Sequence, residues 1–217
     1  MNPSKCKLIV LLFVPVTILF SGSIVCMAAA ASTVNFGGAP WGVAYDSGKG
    51  ELWVVDSGAG MVKALSDSNY DVLHTVNVGQ TPYRDIYDAG MGEIFVANYG
   101  DSTVSVISDE LNKVIITIPV GPSPSSFAYD SALGEVFVAN SGANTVSVIS
   151  DANNTVVATI TVGNNPYDLC YDPAKGEIFV ANSYSRSMSV ISDSNNTVVA
   201  TIAVGSGPLG AAYDSST

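Results

Sequence analysis

From residue 40 onward, apolar and polar positions alternate in short runs bounded by Gly, Asn, Asp, Ser or Pro. In residues 166–207 the pattern predicts four strands, Pro166–Tyr171, Glu177–Ala181, Met188–Ile191 and Thr197–Val204, all rich in Val, Ile, Thr, Phe and Tyr. No helical period of useful length lies between them. In the second strand Ile178 and Val180 share one face and Phe179 and Ala181 the other. Both faces are apolar, as a sheet packed between two other sheets requires.

The same pattern recurs every 42 residues without a gap, starting at Pro40, Pro82, Pro124 and Pro166, and a fifth copy begins at Pro208. Residues 124–165 and 166–207 agree at 26 of 42 positions. A fixed period of four short antiparallel strands fits one blade of a β-propeller. The expected architecture is therefore all-β, with blades 40–81, 82–123, 124–165 and 166–207 and a partial fifth over 208–217. Proline at each blade's first position suits an edge strand beside the central channel, where no amide is needed. Residues 33–37 align with 75–79 and are expected to add a fourth strand, as 208–213 add a first. A ring of about seven blades at this period needs about 290 residues. Three readings follow: a pattern that continues past Thr217, which is favoured, self-association through open blade faces, or closure as four blades.

Comparing the copies separates scaffold from decoration. Tyr-Asp recurs at 45–46, 87–88, 129–130 and 171–172, Gly-Glu at 50–51, 92–93, 134–135 and 176–177, and Ser-Asp at 66–67, 108–109, 150–151 and 192–193. Glycine permits turn conformations barred to other residues, and aspartate bonds turn amides. Repetition in every blade assigns these acids to structure, since a catalytic carboxylate would occupy one special place.

Phe95-Val-Ala-Asn98, Phe137-Val-Ala-Asn140 and Phe179-Val-Ala-Asn182, followed by Ser-Val-Ile-Ser-Asp and Thr-Val-Val-Ala-Thr-Ile, resemble the YVTN family of β-propeller repeats. The resemblance covers residues 33–217, with Phe for the motif Tyr, Ala for its Thr, and Trp53-Val-Val-Asp56 in the first copy. It implies a propeller fold and a cell-surface or periplasmic location. It carries over no catalytic residues.

Residues 1–31 differ in kind. Lys5 and Lys7 precede an apolar run from Leu8 to Phe20, and Ala28–Ala31 offers small-residue cleavage sites, the layout of a secretory signal peptide. An uncleaved N-terminal membrane anchor is the alternative, Leu8–Ala31 being long enough to span a bilayer. A lipoprotein reading at Cys26 is disfavoured by the branched Val25 before it. The repeats are expected to be exported, whether extracellular, surface-bound or periplasmic, with the membrane involved only through this segment. Without the leader, six basic side chains face nineteen acidic ones, a surface that repels nucleic acid. Cys170 is then the only cysteine, so no internal disulfide is expected.

The chemistry of catalysis is thin. His74 is the only histidine and is expected on the surface before an outer strand; one imidazole makes neither a triad nor a metal site. Cys170, where the preceding repeat has Ala128, is expected to be a small buried residue. Neither a catalytic residue nor a metal or other cofactor is assigned. A propeller-type enzyme, lactonase-like or quinone- or haem-linked, is the alternative, but Asp85 and Asp168 are the only acids expected near the channel mouth. Asn153-Asn-Thr155 and Asn195-Asn-Thr197 form glycosylation sequons in turns.

What varies between repeats falls on one rim, where the chain leaves each second strand and enters each first. Trp41, Tyr83, Arg84, Asp85, Tyr99, Asp101, Tyr167, Asp168, Tyr184 and Arg186 belong there. Aromatic rings and Arg among small polar residues have the composition of a binding surface. The expectation is a non-catalytic binding or envelope-scaffold module whose partner is a protein or glycan of the cell envelope.

Overall fold

A computed structural model describes residues 34, 36 and 38–214. The leader, whether signal peptide or anchor, lies outside the described residues, as does most of the 33–37 segment. Sixteen strands form four separate antiparallel sheets, each in sequential order. The first blade holds β1 (Pro40–Asp46), β2 (Glu51–Asp56), β3 (Met61–Ser66) and β4 (Val72–Asn77). The second holds β5 (Pro82–Asp88), β6 (Glu93–Asn98), β7 (Thr103–Ser108) and β8 (Lys113–Pro119). The third holds β9 (Pro124–Asp130), β10 (Glu135–Asn140), β11 (Thr145–Ser150) and β12 (Thr155–Thr161). The fourth holds β13 (Pro166–Asp172), β14 (Glu177–Asn182), β15 (Ser187–Ser192) and β16 (Thr197–Ala203). The first strand of every blade opens on its proline.

Strands β1, β5, β9 and β13 lie side by side in chain order at the inner edge. Three apolar cores fill the gaps between successive blades. Trp53 and Val55 of blade one meet Ile94, Val96 and Ile107 of blade two. Phe95 and Ala97 meet Phe127, Val136, Val138 and Ile149, and Phe137 and Ala139 meet Leu169, Ile178, Val180 and Ile191. The two-faced pattern of the second strand is thus spent on two different interfaces, one residue pair to each neighbour. The segment after Pro208 carries no strand within the described residues and lines a surface hollow with Cys170, Phe179 and Met188.

The recurring polar residues brace the turns and strands of each blade. The carboxylate of Asp130 accepts the amides of Ala132 and Leu133 in its turn, and Asp46, Asp88 and Asp172 repeat the device. Tyr87, Tyr129 and Tyr171 each donate to the Ser-Asp aspartate of their own blade, at 3.1, 3.1 and 3.0 Å. Burial, with hydrogen bonding to the preceding blade's Asp46, Asp88 or Asp130, pushes all three phenols up. Buried Asn98, Asn140 and Asn182 donate to serines of the third strand, at 2.9 Å each. In blade one that pair is replaced: Asp56 stands for the asparagine and Lys63 for the serine, 3.7 Å apart. The departure of the first copy from the motif is therefore a matched exchange of a neutral pair for a charged one.

Candidate functional site

The rim is assembled by short backbone contacts that repeat in each blade. The hairpin between the second and third strands bonds to the loop that enters the blade: Tyr99 N–H to Thr81 O at 3.2 Å, Ser141 N–H to Ser123 O at 3.0 Å, Ser183 N–H to Asn165 O at 2.9 Å. These bonds carry hairpin side chains to the mouth of the channel. The second residue of each inner strand meets them there: Trp41, Tyr83, Ser125 and Tyr167.

Tyr83 is the hub. Its ring centroid lies 5.0 Å from Trp41, 5.8 Å from Tyr99 and, edge-on, 6.4 Å from Tyr167, separations at which aromatic pairs attract. Its hydroxyl meets that of Tyr167 at 2.5 Å. These residues belong to blades two and four, so the contact passes over blade three. It is possible because blade three has the small Ser125, buried with its hydroxyl on the carbonyl of Pro166 at 3.2 Å. Burial first, and then the Tyr167 hydrogen bond, push the Tyr83 phenol up to about 12.

One residue further in, a second link crosses at the same place. Asp168 accepts Ser126 Oγ at 2.6 Å and the Ala211 amide at 3.2 Å, and Arg84 stands 3.7 Å away. Both the tyrosine layer and this one draw blades two and four together above β9.

Five of the ten expected rim residues, Trp41, Tyr83, Tyr99, Tyr167 and Tyr184, line one hollow of ≈ 350 Å³ with Thr81, Ser141 and Asn165. A second hollow of ≈ 460 Å³ adjoins it, sharing Tyr99, Ser141, Asn165 and Tyr184 and adding Gly142, Asn144 and Asn164. Tyr184 is 77% exposed and Trp41 59%. The asparagines were not among the expected site residues. Their signal lay in turn positions: Asn144 and Asn165 adopt φ of 58° and 54°, the left-handed region that asparagine tolerates. Asn144 Oδ1 accepts the Asn165 amide at 2.9 Å, holding the two loops together.

The other five expected residues do different work. Arg84 and Asp168 make the cross-link just described. Asp101 caps the loop entering blade two by accepting the Gln80 amide at 2.6 Å. Arg186 is exposed, in a left-handed turn conformation with φ 52°. Asp85 is a correction to the expected exposed rim: both its oxygens are sealed from solvent, and burial raises its carboxyl well above the usual range. Its side chain lies where a Cβ on Gly42 would come within 2.5 Å of Oδ1. Among the described residues no three His, Cys, Asp or Glu side chains converge in a metal-binding group.

Two minor expectations are also corrected. His74 lies within β4, not before it, and is half-buried there. Cys170 is half-buried, because the C-terminal segment covers it only in part; burial and then Asp168 and Asp172 raise its thiol. The sequon asparagines Asn153 and Asn195 are exposed, each accepting its own threonine hydroxyl, at 2.6 and 2.7 Å.

Neither a protein-family model nor a curated protein sequence matches the chain. Among solved structures it is similar to hydrazine synthase of Kuenenia stuttgartiensis, at 19% identity and a TM-score of 0.73. The likeness covers 82% of this chain and 52% of that one, so the chain spans about half the length of that neighbour. At this identity the likeness speaks to fold alone, and with four four-stranded sheets it places the chain among all-β propellers.

Proposed function

We propose that this propeller is a non-catalytic binding module of the cell envelope, exported by its N-terminal segment and related to the YVTN repeat proteins it resembles. The observation that carries the reading is the convergence of Trp41, Tyr83, Tyr99, Tyr167 and Tyr184, drawn from three blades, on one open hollow. Aromatic side chains offer large contact area at low entropy cost, and rigid backbone supports reduce the ordering needed on binding. The two acids nearest the channel mouth support the reading too. Asp168 is engaged by Arg84, Ser126 and Ala211, and Asp85 is sealed beneath the surface, so neither stands open to a substrate.

The test is binding of the purified 217-residue chain to envelope fragments of its own host. Tyr99→Ala combined with Tyr184→Ala is expected to weaken that binding at least tenfold, about 1.4 kcal/mol. Substitutions at Lys113 and Lys175, on the opposite rim, are expected to leave it unchanged. Equal losses from both rims would place the site elsewhere.

A further inference from the structure

We infer that the paired rim hollows hold a neutral oligosaccharide of two or more pyranose units, an inference that rests on the rim being the binding face. In a chain of net charge −11, neither hollow is lined by a single Asp, Glu, Lys or Arg. An ionic ligand would find no counter-charge there. A wholly apolar ligand would leave the amides and hydroxyls of the walls without partners.

What the walls do present is of two kinds, sorted by position. The first hollow is dominated by rings: Trp41, Tyr83, Tyr99, Tyr167 and Tyr184. The second is dominated by amides and small residues, with Asn144, Asn164, Asn165 and Ser141 between Tyr99 and Tyr184. A pyranose has the matching duality, an apolar face of C–H groups and an edge of hydroxyls. Ring faces take the first by dispersion and hydrophobic contact. Asparagine amides, which both donate and accept, take the second, since each sugar hydroxyl also does both. Because Tyr99 and Tyr184 border both hollows, a chain of linked sugars can occupy them in series. The charged residues of this rim, Arg84, Asp101, Asp168 and Arg186, line neither hollow.

The site is also built before any ligand arrives. The hydroxyl contact of Tyr83 with Tyr167, the Asn144–Asn165 bond and the hairpin-to-loop backbone bonds fix the walls. Preformed walls suit a weakly interacting ligand such as a neutral sugar, because little free energy goes to ordering the protein.

Trp41 supplies the assay. The other tryptophan, Trp53, is fully buried, so a change of tryptophan emission on adding ligand reports the rim. The 217-residue chain is titrated with cellohexaose, maltohexaose, mannohexaose and chitohexaose, with hexagalacturonate as the anionic control, and binding is confirmed by calorimetry. The expected result is saturable binding of at least one neutral hexasaccharide, at least tenfold tighter than its disaccharide. Tyr99→Ala and Tyr184→Ala should each weaken it at least fivefold without changing the circular dichroism spectrum. No saturable response to any neutral sugar, or binding of hexagalacturonate alone, would overturn the inference. Periodate treatment of host envelope fragments separates it from the broader reading. Envelope binding that survives periodate yet is lost in the double tyrosine variant would keep the rim as the binding face and reject the sugar. Envelope binding that ignores the tyrosines altogether would reject both.

Discussion

Asp85 occupies a place that the other blades give to apolar side chains. Its counterparts are Val43, Phe127 and Leu169, and the last two are buried at 7% and 5% exposure. Desolvation raises its carboxyl, only partly opposed by the Ala44 and Asp85 amides and by Arg84. A raised folded-state pKa means the native protein binds the proton more readily than the unfolded chain. Stability from this group is then fully present below the unfolded value near ~3.9 and is lost as pH rises through the folded one. Asp85→Leu should therefore stabilise the protein, and by more at pH 7 than at pH 4. Urea unfolding of both proteins at the two pH values measures this. A gain that is larger at pH 4 would show that Asp85 is held as a carboxylate.

At the scale of the element, the hairpin turns explain why the repeats look so alike. Gly134 has φ +66°, and a Cβ there would fall 2.5 Å from Asp151 Oδ1, while the Asp151 amide bonds to the Gly134 carbonyl at 2.9 Å. Glycine and aspartate thus interlock two neighbouring turns, β9–β10 and β11–β12, which is why Gly-Glu and Ser-Asp keep their spacing in every blade. Gly134→Ala is expected to cost about 2 kcal/mol or more, from the left-handed backbone and the clash together. Gly205→Ala, with nothing within 4 Å of the new carbon, should be near neutral. Thermal unfolding of the pair tests the contrast; equal effects would count against the interlocked turns. Such features were legible because local geometry demands them at a fixed spacing. The rim was legible only in part. Position in the repeat assigns Trp41, Tyr83, Tyr99, Tyr167 and Tyr184 to one rim, and the five side chains line one hollow. Position in the repeat does not show that the Asp85 carboxylate turns inward, where the β5–β6 register shifts between Pro82 and Asp85. The meeting of Tyr83 with Tyr167 over Ser125 could not be read at all, since it depends on how sharply three blades curve around one another.

For the whole molecule, the decisive fact is that a blade has two faces and each interior gap needs one from either neighbour. Trp53, Phe95 and Phe137 fill the three gaps and are fully buried. Phe179 holds the same position in blade four but is only partly covered, by residues of the C-terminal segment. The outer strand shows the same change: Val76, Ile118 and Ile160 are buried at 6%, 4% and 6% exposure, while Ile202 is 45% exposed. Stability in a repeat protein is close to a sum of unit terms and nearest-neighbour interfaces. One substitution at equivalent positions should then have very different costs. Phe137→Ala removes the ring from a closed core shared with Leu169, Ile178 and Val180, and is expected to cost about 3–5 kcal/mol. Phe179→Ala leaves no enclosed cavity and gives up less burial, so its cost should be about half of that or smaller. Chemical denaturation of the two variants in the 217-residue chain measures the difference directly. Equal costs would mean that the fourth blade's outer face is packed as tightly as an interior gap, with a second copy of the chain as the natural cover. Sedimentation at the concentrations used would then have to show a dimer, whereas unequal costs are expected if Phe179 is covered only in part, beside residues 211–214.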